Sequence, residues 1–397
     1  MHYDLIIIGG GLVGRSLACA LSASPLKIAL IDASALEQPD PRLIALNYGN
    51  VRFLQSLGLW PRLADLSTPI QEVHVSHRGR FGATRLRAAD TQLPFLGAVV
   101  PAKHINMALG EALREAEEQS RYTELRPARV KALALGEKNT ALTLDRDGRE
   151  VQVTGDLIIA ADGTHSTVRQ LLNFEAKTVD YQQSAIVTTV RCGRAHENRA
   201  YERFLADGAL ALLPLPDEAG SNPLCAAIWT ASNAAITALQ NQDDTRFMQA
   251  MQNEFGYRLG RLHRITQRHV FPLQLIQVKQ PLQGNVLLIG NAAHTIHPIA
   301  AQGLNLALYE IAQLSRLLLD NVREHRPLIA GLADNLARFQ PQMNLLFSHY
   351  LSRAFASDFL GSNIARQWGM VALDLCPPLK KKFGRLMAME SIEWLTN

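Results

Sequence analysis

Three short stretches hold the residues whose types and spacing could do chemistry. The first is Gly9-x-Gly11-x-x-Gly14, which follows the apolar run Leu5–Ile8 and opens a segment with Leu12, Val13, Leu17, Ala20 and Leu21 at helical spacing. A strand, a glycine turn and a helix in that order build an anion site. One glycine permits the tight turn, one lets backbone N–H groups approach a pyrophosphate, and one allows close helix–strand packing. The helix adds its N-terminal partial charge and unpaired amides. A second run, Lys27–Ile31, ends in Asp32, 18 positions after Gly14. That is close to the ~20 residues expected for a ribose-binding acid. The spacing predicts a bound adenine dinucleotide.

The second stretch, Gly155–Arg169, runs an apolar strand (Leu157–Ala160) into Asp162-Gly163, with Ser166 placed to cap the helix that carries Arg169. By itself a strand closing in Asp-Gly is a common turn. In the third, Gly284–Asn305, the strand Val286–Ile289 leads into Gly290-Asn291-Ala-Ala-His294-Thr-Ile-His297-Pro298 and then Gln302-Gly303. Leu304, Leu308, Ile311 and Leu314 continue as a helix, whose N-terminus beyond such a loop suits developing negative charge. Arg42, in Asp40-Pro-Arg42, can pair with a phosphate or remain a surface residue, and spacing alone does not decide between them.

The elements that position these stretches predict an α/β fold: a Rossmann-like nucleotide-binding domain, a mostly antiparallel substrate domain and a helical C-terminal segment. Helices are expected at Asn50–Leu57 and Lys103–Glu118, with a hairpin within 70–100 turning at Arg78-Gly-Arg80. Between 180 and 275, short strand-like runs (Ala185–Val190, Leu210–Leu213, Cys225–Trp229, Val270–Leu273) alternate with turn residues around a helical insertion. The nucleotide-binding domain is therefore assigned to 1–70, 101–180 and 276–330, the substrate domain to 71–100 and 181–275, and the helical segment to 331–397.

Composition narrows the classes. Hydrophobic residues make up 47% of the 397 and charged residues 19%, a globular mix without low-complexity tracts. A net charge of +4, scattered along the chain, argues against nucleic acid as a partner. Cys19, Cys192, Cys225 and Cys376 stand far apart, so neither a zinc site nor a disulfide framework is expected, and no other metal site is predicted. The first strand starts within three residues and no apolar run nears the ~18–20 of a spanning helix. A cytoplasmic protein is expected. Lys380-Lys-Lys-Phe-Gly-Arg385, beside apolar residues, offers contact with an acidic partner or the inner membrane surface.

Taken together, the three stretches resemble the FAD-dependent aromatic hydroxylases related to p-hydroxybenzoate hydroxylase. The resemblance covers most of the chain in the right order. Within that family, Val75-Ser-His-Arg-Gly79, Ala161-Asp-Gly-Thr-His-Ser166, Glu202-Arg-Phe204, Leu210-Ala-Leu-Leu-Pro214 and Gly290–Ala300 are similar to the ubiquinone-biosynthesis branch. Asn291 and His297-Pro-Ile-Ala300 are similar to its 2-octaprenyl-6-methoxyphenol hydroxylases. Three positions depart from the family pattern: Asn291 stands for an aspartate, Ala301 and Ala307 for glycines.

The resemblance implies FAD as cofactor, NAD(P)H as co-substrate, and a hydrophobic prenylated phenol and O2 as substrates, with other ubiquinone-biosynthesis proteins as partners. Gly9, Gly11, Gly14, Asp32 and Arg42 would hold its ADP half, and Asp162 and Gly163 would support it. Gly290, Asn291, Gly303, Leu304 and Asn305 would hold the ribityl chain and ring. Pro298, Gln302 and Gly303 would border the reacting face, where backbone amides of 302–305 stabilise negative charge on reduced flavin. No residue is legible as the phenol's base. A sister hydroxylase attacking another ring carbon, a prenyl reductase on the same scaffold and a weakly active flavin-binding scaffold remain open. A halogenase does not, since Trp60, Trp229, Trp368 and Trp394 are isolated.

Overall fold

The strand His2–Ile8 is the centre of a parallel sheet. Ile28–Ile31 and then Tyr122–Leu125 flank it on one side, Arg149–Ala160 and then Val286–Leu288 on the other. Leu5 and Ile7 enter one core cluster, Ile6 and Ile8 a second on the opposite face. That two-sided burial is why the strand reads as an unbroken apolar run, and each such side chain contributes about 1.5–3 kcal/mol of burial. Helices Leu12–Leu21, Ala102–Glu117 and Gln302–Arg323 cover the first face. An antiparallel meander, Arg129–Leu135 and Thr140–Arg146 continuing into the long strand Arg149–Ala160, covers the second.

The structure is a computed structural model that describes residues 1–35, 40–118, 121–216, 223–264, 266–295, 302–339 and 374–389. Expectations about His297, Pro298 and Ala301 lie outside the described residues, as does most of the C-terminal segment.

The second sheet runs in the order His294–Thr295, His269–Val278, Ala176–Cys192, Leu224–Ser232, Ala209–Pro214, Arg199–Phe204, Glu72–His77, Ala83–Arg87. Its neighbours are antiparallel except where Arg199–Phe204 meets Glu72–His77. Ala176–Cys192 passes through the 180/181 divide, and His294–Thr295 joins this sheet from within 276–330. The outer face packs on helices Asn233–Gln240 and Asp244–Phe255 through Phe247, Met251 and Phe255. A small third sheet of Leu43–Asn47, Gly97–Pro101 and Thr68–Ile70 joins the two bodies. Leu46, Ala98 and Val100 face the nucleotide-binding core, while Leu43, Ala45 and Val99 face the second sheet.

The C-terminal helix Pro377–Met387 lies on the short helix Ala88–Thr91. Lys380 Nζ sits 3.0 Å from Asp374 and 3.5 Å from Asp90, Lys381 Nζ donates to Gln92 Oε1 at 2.7 Å, and Arg385 Nε donates to the Thr91 carbonyl at 3.1 Å. Three of the four cations of Lys380–Arg385 are thus engaged within the chain. The helices approach so closely that a Cβ on Gly384 would lie 2.5 Å from Thr91 Cγ2. Substituting Gly384→Leu is expected to cost about 1–3 kcal/mol through overpacking. Urea unfolding together with proteolytic cleavage near 374–389 checks this; unchanged protection would contradict the packing.

Candidate active site

Backbone register places the three stretches side by side. Ile8 pairs with both Ile31 and Ala160, and Ala160 pairs with Leu288. Hydrogen bonds carry the row one residue further: Gly9 N donates to Ile31 O at 2.8 Å, Ala161 N to Ile8 O at 2.7 Å, and Ile289 N to Ala160 O at 3.0 Å. The loops after these strands therefore leave the same carboxyl edge of one parallel sheet, where such sheets bind ligands.

Each loop is built to touch the next. Gly9 has φ +111°, and a Cβ there would lie 2.4 Å from the Ala161 carbonyl oxygen; a Cβ on Gly14 would lie 1.9 Å from Gly9 O. Only glycine fits either position. A Cβ on Gly11 would meet nothing within 4 Å, and no side chain caps the helix Leu12–Leu21 that it precedes. Amides of that first turn are available to an anion. Gly290, at φ +54°, abuts Val13 of this helix and donates its N–H to Glu310 Oε2 at 2.9 Å.

Arg169 ties the second loop to the third. Its Nη1 donates to Ala292 O at 2.9 Å and its Nη2 to Thr164 O at 2.6 Å, while Ser166 caps its helix by accepting from Arg169 N at 3.0 Å. Asp162 Oδ2 accepts from Val168 N at 3.2 Å, whereas its buried Oδ1 has no partner among the described residues. A buried carboxylate oxygen left unpaired is costly unless a ligand group pairs with it. Open space at Gly11, Gly163 and Gly303 completes a cradle that fits FAD.

Other expected residues are differently engaged. Asp32 accepts from Arg126 Nη2 at 2.8 Å and from Ser34 N at 2.7 Å, so its carboxylate is already held at the strand end. Arg42 makes a bidentate pair with Asp40 at 2.6–3.1 Å, which holds the Asp40 carboxyl below its usual range despite burial. Asn305 is committed as a lock, its Nδ2 donating to Ala45 O at 2.7 Å and its Oδ1 accepting from Asn47 N and Asn50 Nδ2 at 2.9 and 2.8 Å. That side chain is engaged within the protein, while the backbone of Gln302–Asn305 opens the helix. Asn291 sits in the turn Gly290–Ala292, its carbonyl accepting from Thr295 Oγ1 at 3.3 Å, and Leu304 is half-buried one turn into the helix.

His294 is 3% exposed, and burial lowers its pKa to about 4, so it stays neutral. Its Nδ1 lies 3.4 Å from Glu310 Oε1, whose carboxyl burial pushes well above the usual range. Glu310 and Arg169 were not among the expected site residues. A carboxylate at a buried helix position eight residues after Gln302 is the signal that could have drawn attention to the first. If the strap matters, Arg169→Met weakens FAD binding at least tenfold, since a hydrogen bond from a charged group is worth about 1.5–3 kcal/mol. Flavin fluorescence titration measures it; unaltered affinity would show that the loops hold one another without the guanidinium.

Comparison with known proteins agrees with this geometry. Residues 2–328 match the family model described as an FAD binding domain. The chain is 31% identical to the ubiquinone hydroxylase UbiL of Rhodospirillum rubrum over 96% of this chain and 88% of that protein. It is 28% identical to the 3-demethoxyubiquinol 3-hydroxylase of Escherichia coli over 96% of both chains. The crystal structure of p-nitrophenol 4-monooxygenase PnpA from Pseudomonas putida is similar in fold, with a TM-score of 0.76 at 14% identity, covering 96% of each chain. The chain belongs to the FAD binding domain family, among the flavoproteins that include UbiL.

Proposed function

We propose that this flavoprotein is an aromatic-ring monooxygenase of ubiquinone biosynthesis, and that its substrate is a 2-polyprenyl-6-methoxyphenol. The observation that carries the enzyme reading is the convergence of three strand-end loops on one cradle for FAD. The pathway reading is supported by relatives named as ubiquinone hydroxylases along nearly the whole chain. When bound, FAD would supply the redox chemistry that activates O2 for ring hydroxylation, with NAD(P)H as the source of electrons and water as the second product.

The protein's own residues bind and shield. Amides at the Leu12–Leu21 N-terminus take the pyrophosphate, and the Gln302–Asn305 backbone borders the flavin face. The second sheet supplies an apolar face that keeps water from the reacting oxygen. A prenyl tail is insoluble, so the protein works at the inner membrane surface. Among the described residues no helix is long and apolar enough to cross a membrane. Exposed Leu379 and Leu386 flank Lys382 on one face of Pro377–Met387, a face suited to lying on lipid.

Deleting the gene is expected to build up 2-polyprenyl-6-methoxyphenol, read by mass spectrometry of lipid extracts. Accumulation of a later, already hydroxylated intermediate would favour a sister hydroxylase, and normal quinone levels would remove the pathway. Purified protein should consume O2 with the phenol; product formed without O2 would favour a prenyl reductase.

A further inference from the structure

The inner face of the second sheet carries one carboxyl group in an apolar row. Cross-strand pairing sets Val75, Glu202, Ala211, Ile228 and Val187 side by side, from strand to strand. Alternation along Arg199–Phe204 puts Glu202 on the face of Ala200, opposite Tyr201, which packs on the outer helices. Ala200 and Ile228 belong to the cluster that meets Leu43 and Ala45 of the third sheet. Ala45 is the residue whose carbonyl Asn305 holds at 2.7 Å, at the start of the helix that follows the third loop. Glu202 is thus on the wall that looks toward the flavin side, roughly 10 Å from Ile228 at two strand spacings.

Glu202, Val75, Ala211, Ile228 and Val187 all keep part of their surface accessible among the described residues. A carboxyl set in such a wall needs a purpose, because an ionised group in apolar surroundings is costly. Burial alone lifts its pKa to about 7. The other ionisable groups on this face among the described residues are His77, one row along and bonded to Arg78 O at 2.8 Å, His269, at the far end of the row, and Arg191, exposed four residues along the strand from Val187. Leu43, Ala45 and Val99, which pack here from the third sheet, bring no charge.

We propose that Glu202 is the base that accepts the substrate phenol's proton. This rests on the hydroxylase reading above. As the ring carbon para to the phenolic oxygen bonds the incoming oxygen, the phenolic O–H bond breaks. Its proton passes to a Glu202 carboxylate oxygen, and the freed electron pair flows into the ring. When the product regains aromaticity the ring C–H proton is lost and Glu202 returns a proton to the phenolate, so the residue is unchanged over the cycle. The ring becomes far more acidic as it gives up electrons, so a base of near-neutral pKa suffices.

The test uses FAD-loaded protein and a short-tailed 2-prenyl-6-methoxyphenol, with its Kd followed from pH 5.5 to 8.5 by difference absorbance and product formation measured alongside. The ionised carboxylate accepts the phenol's hydrogen bond, so wild-type binding should tighten about tenfold as pH rises through neutrality. Glu202→Gln should bind FAD normally, show a pH-independent Kd and lose roughly 10²-fold in kcat. Glu202→Asp should restore the pH dependence in part. A sloped Kd or wild-type turnover in Glu202→Gln would overturn the assignment while leaving the hydroxylase standing. Failure of wild-type protein to bind or hydroxylate the phenol would overturn both.

Discussion

Everything in this protein depends on the register of four parallel strands. Ile31, Ile8, Ala160 and Leu288 stand in one row, and the next residue of each chain leaves the sheet at the same edge. A slip of one residue would turn Ile6 and Ile8 to the wrong face and carry Asp162 about 3.3 Å along the strand from Gly9. Burial on both faces forbids that slip, since Leu5, Ile6, Ile7 and Ile159 are all fully enclosed. Hydrophobic packing therefore sets the position of groups that are themselves polar and lie outside the core.

Given that row, side chains weld the loops to one another. Arg169 spans the second and third, Glu310 reaches from a helix to the Gly290 amide, and Val13 of the first helix abuts Gly290. Glu310 and His294 are both buried, and their opposite shifts follow from burial of one shared neighbourhood. Burial disfavours the charged form of each group, as expected for polar side chains held together in an interior. The Asn305 lock works the same way for the third sheet, joining Ala45, Asn47 and Asn50 to the helix start. These contacts hold described parts of the three loops to one another through the protein's own side chains, which lowers the ordering cost of binding.

Much of this was legible in the residues. The glycine turn, the Asp-Gly strand end and the strand–loop–helix of the third stretch are local patterns, and their elements lie where periodicity places them. The engagement of single polar side chains was not legible. Asn305 is held by residues some 260 positions away, and Lys380 by Asp90 across almost the whole chain. Arg42 could from spacing meet a phosphate or remain a surface residue, and its pairing with Asp40 two residues away was not anticipated. Glu202 is the same case: strand alternation could assign its face, but nothing local says which face meets the flavin domain.

The chain also divides its labour by sheet type. The parallel sheet is covered on both faces and sends three loops from one edge, while the antiparallel sheet packs helices on one face and the third sheet on the other. The most direct measurement of the account's central claim is a crystal structure of the protein loaded with FAD. The account predicts one FAD with its pyrophosphate on the amides after Gly11, in contact with the Asp162–Gly163 loop, and its ring end beside the Gly290–Ala292 turn. An FAD touching only the glycine turn, with the other two loops out of contact, would contradict it.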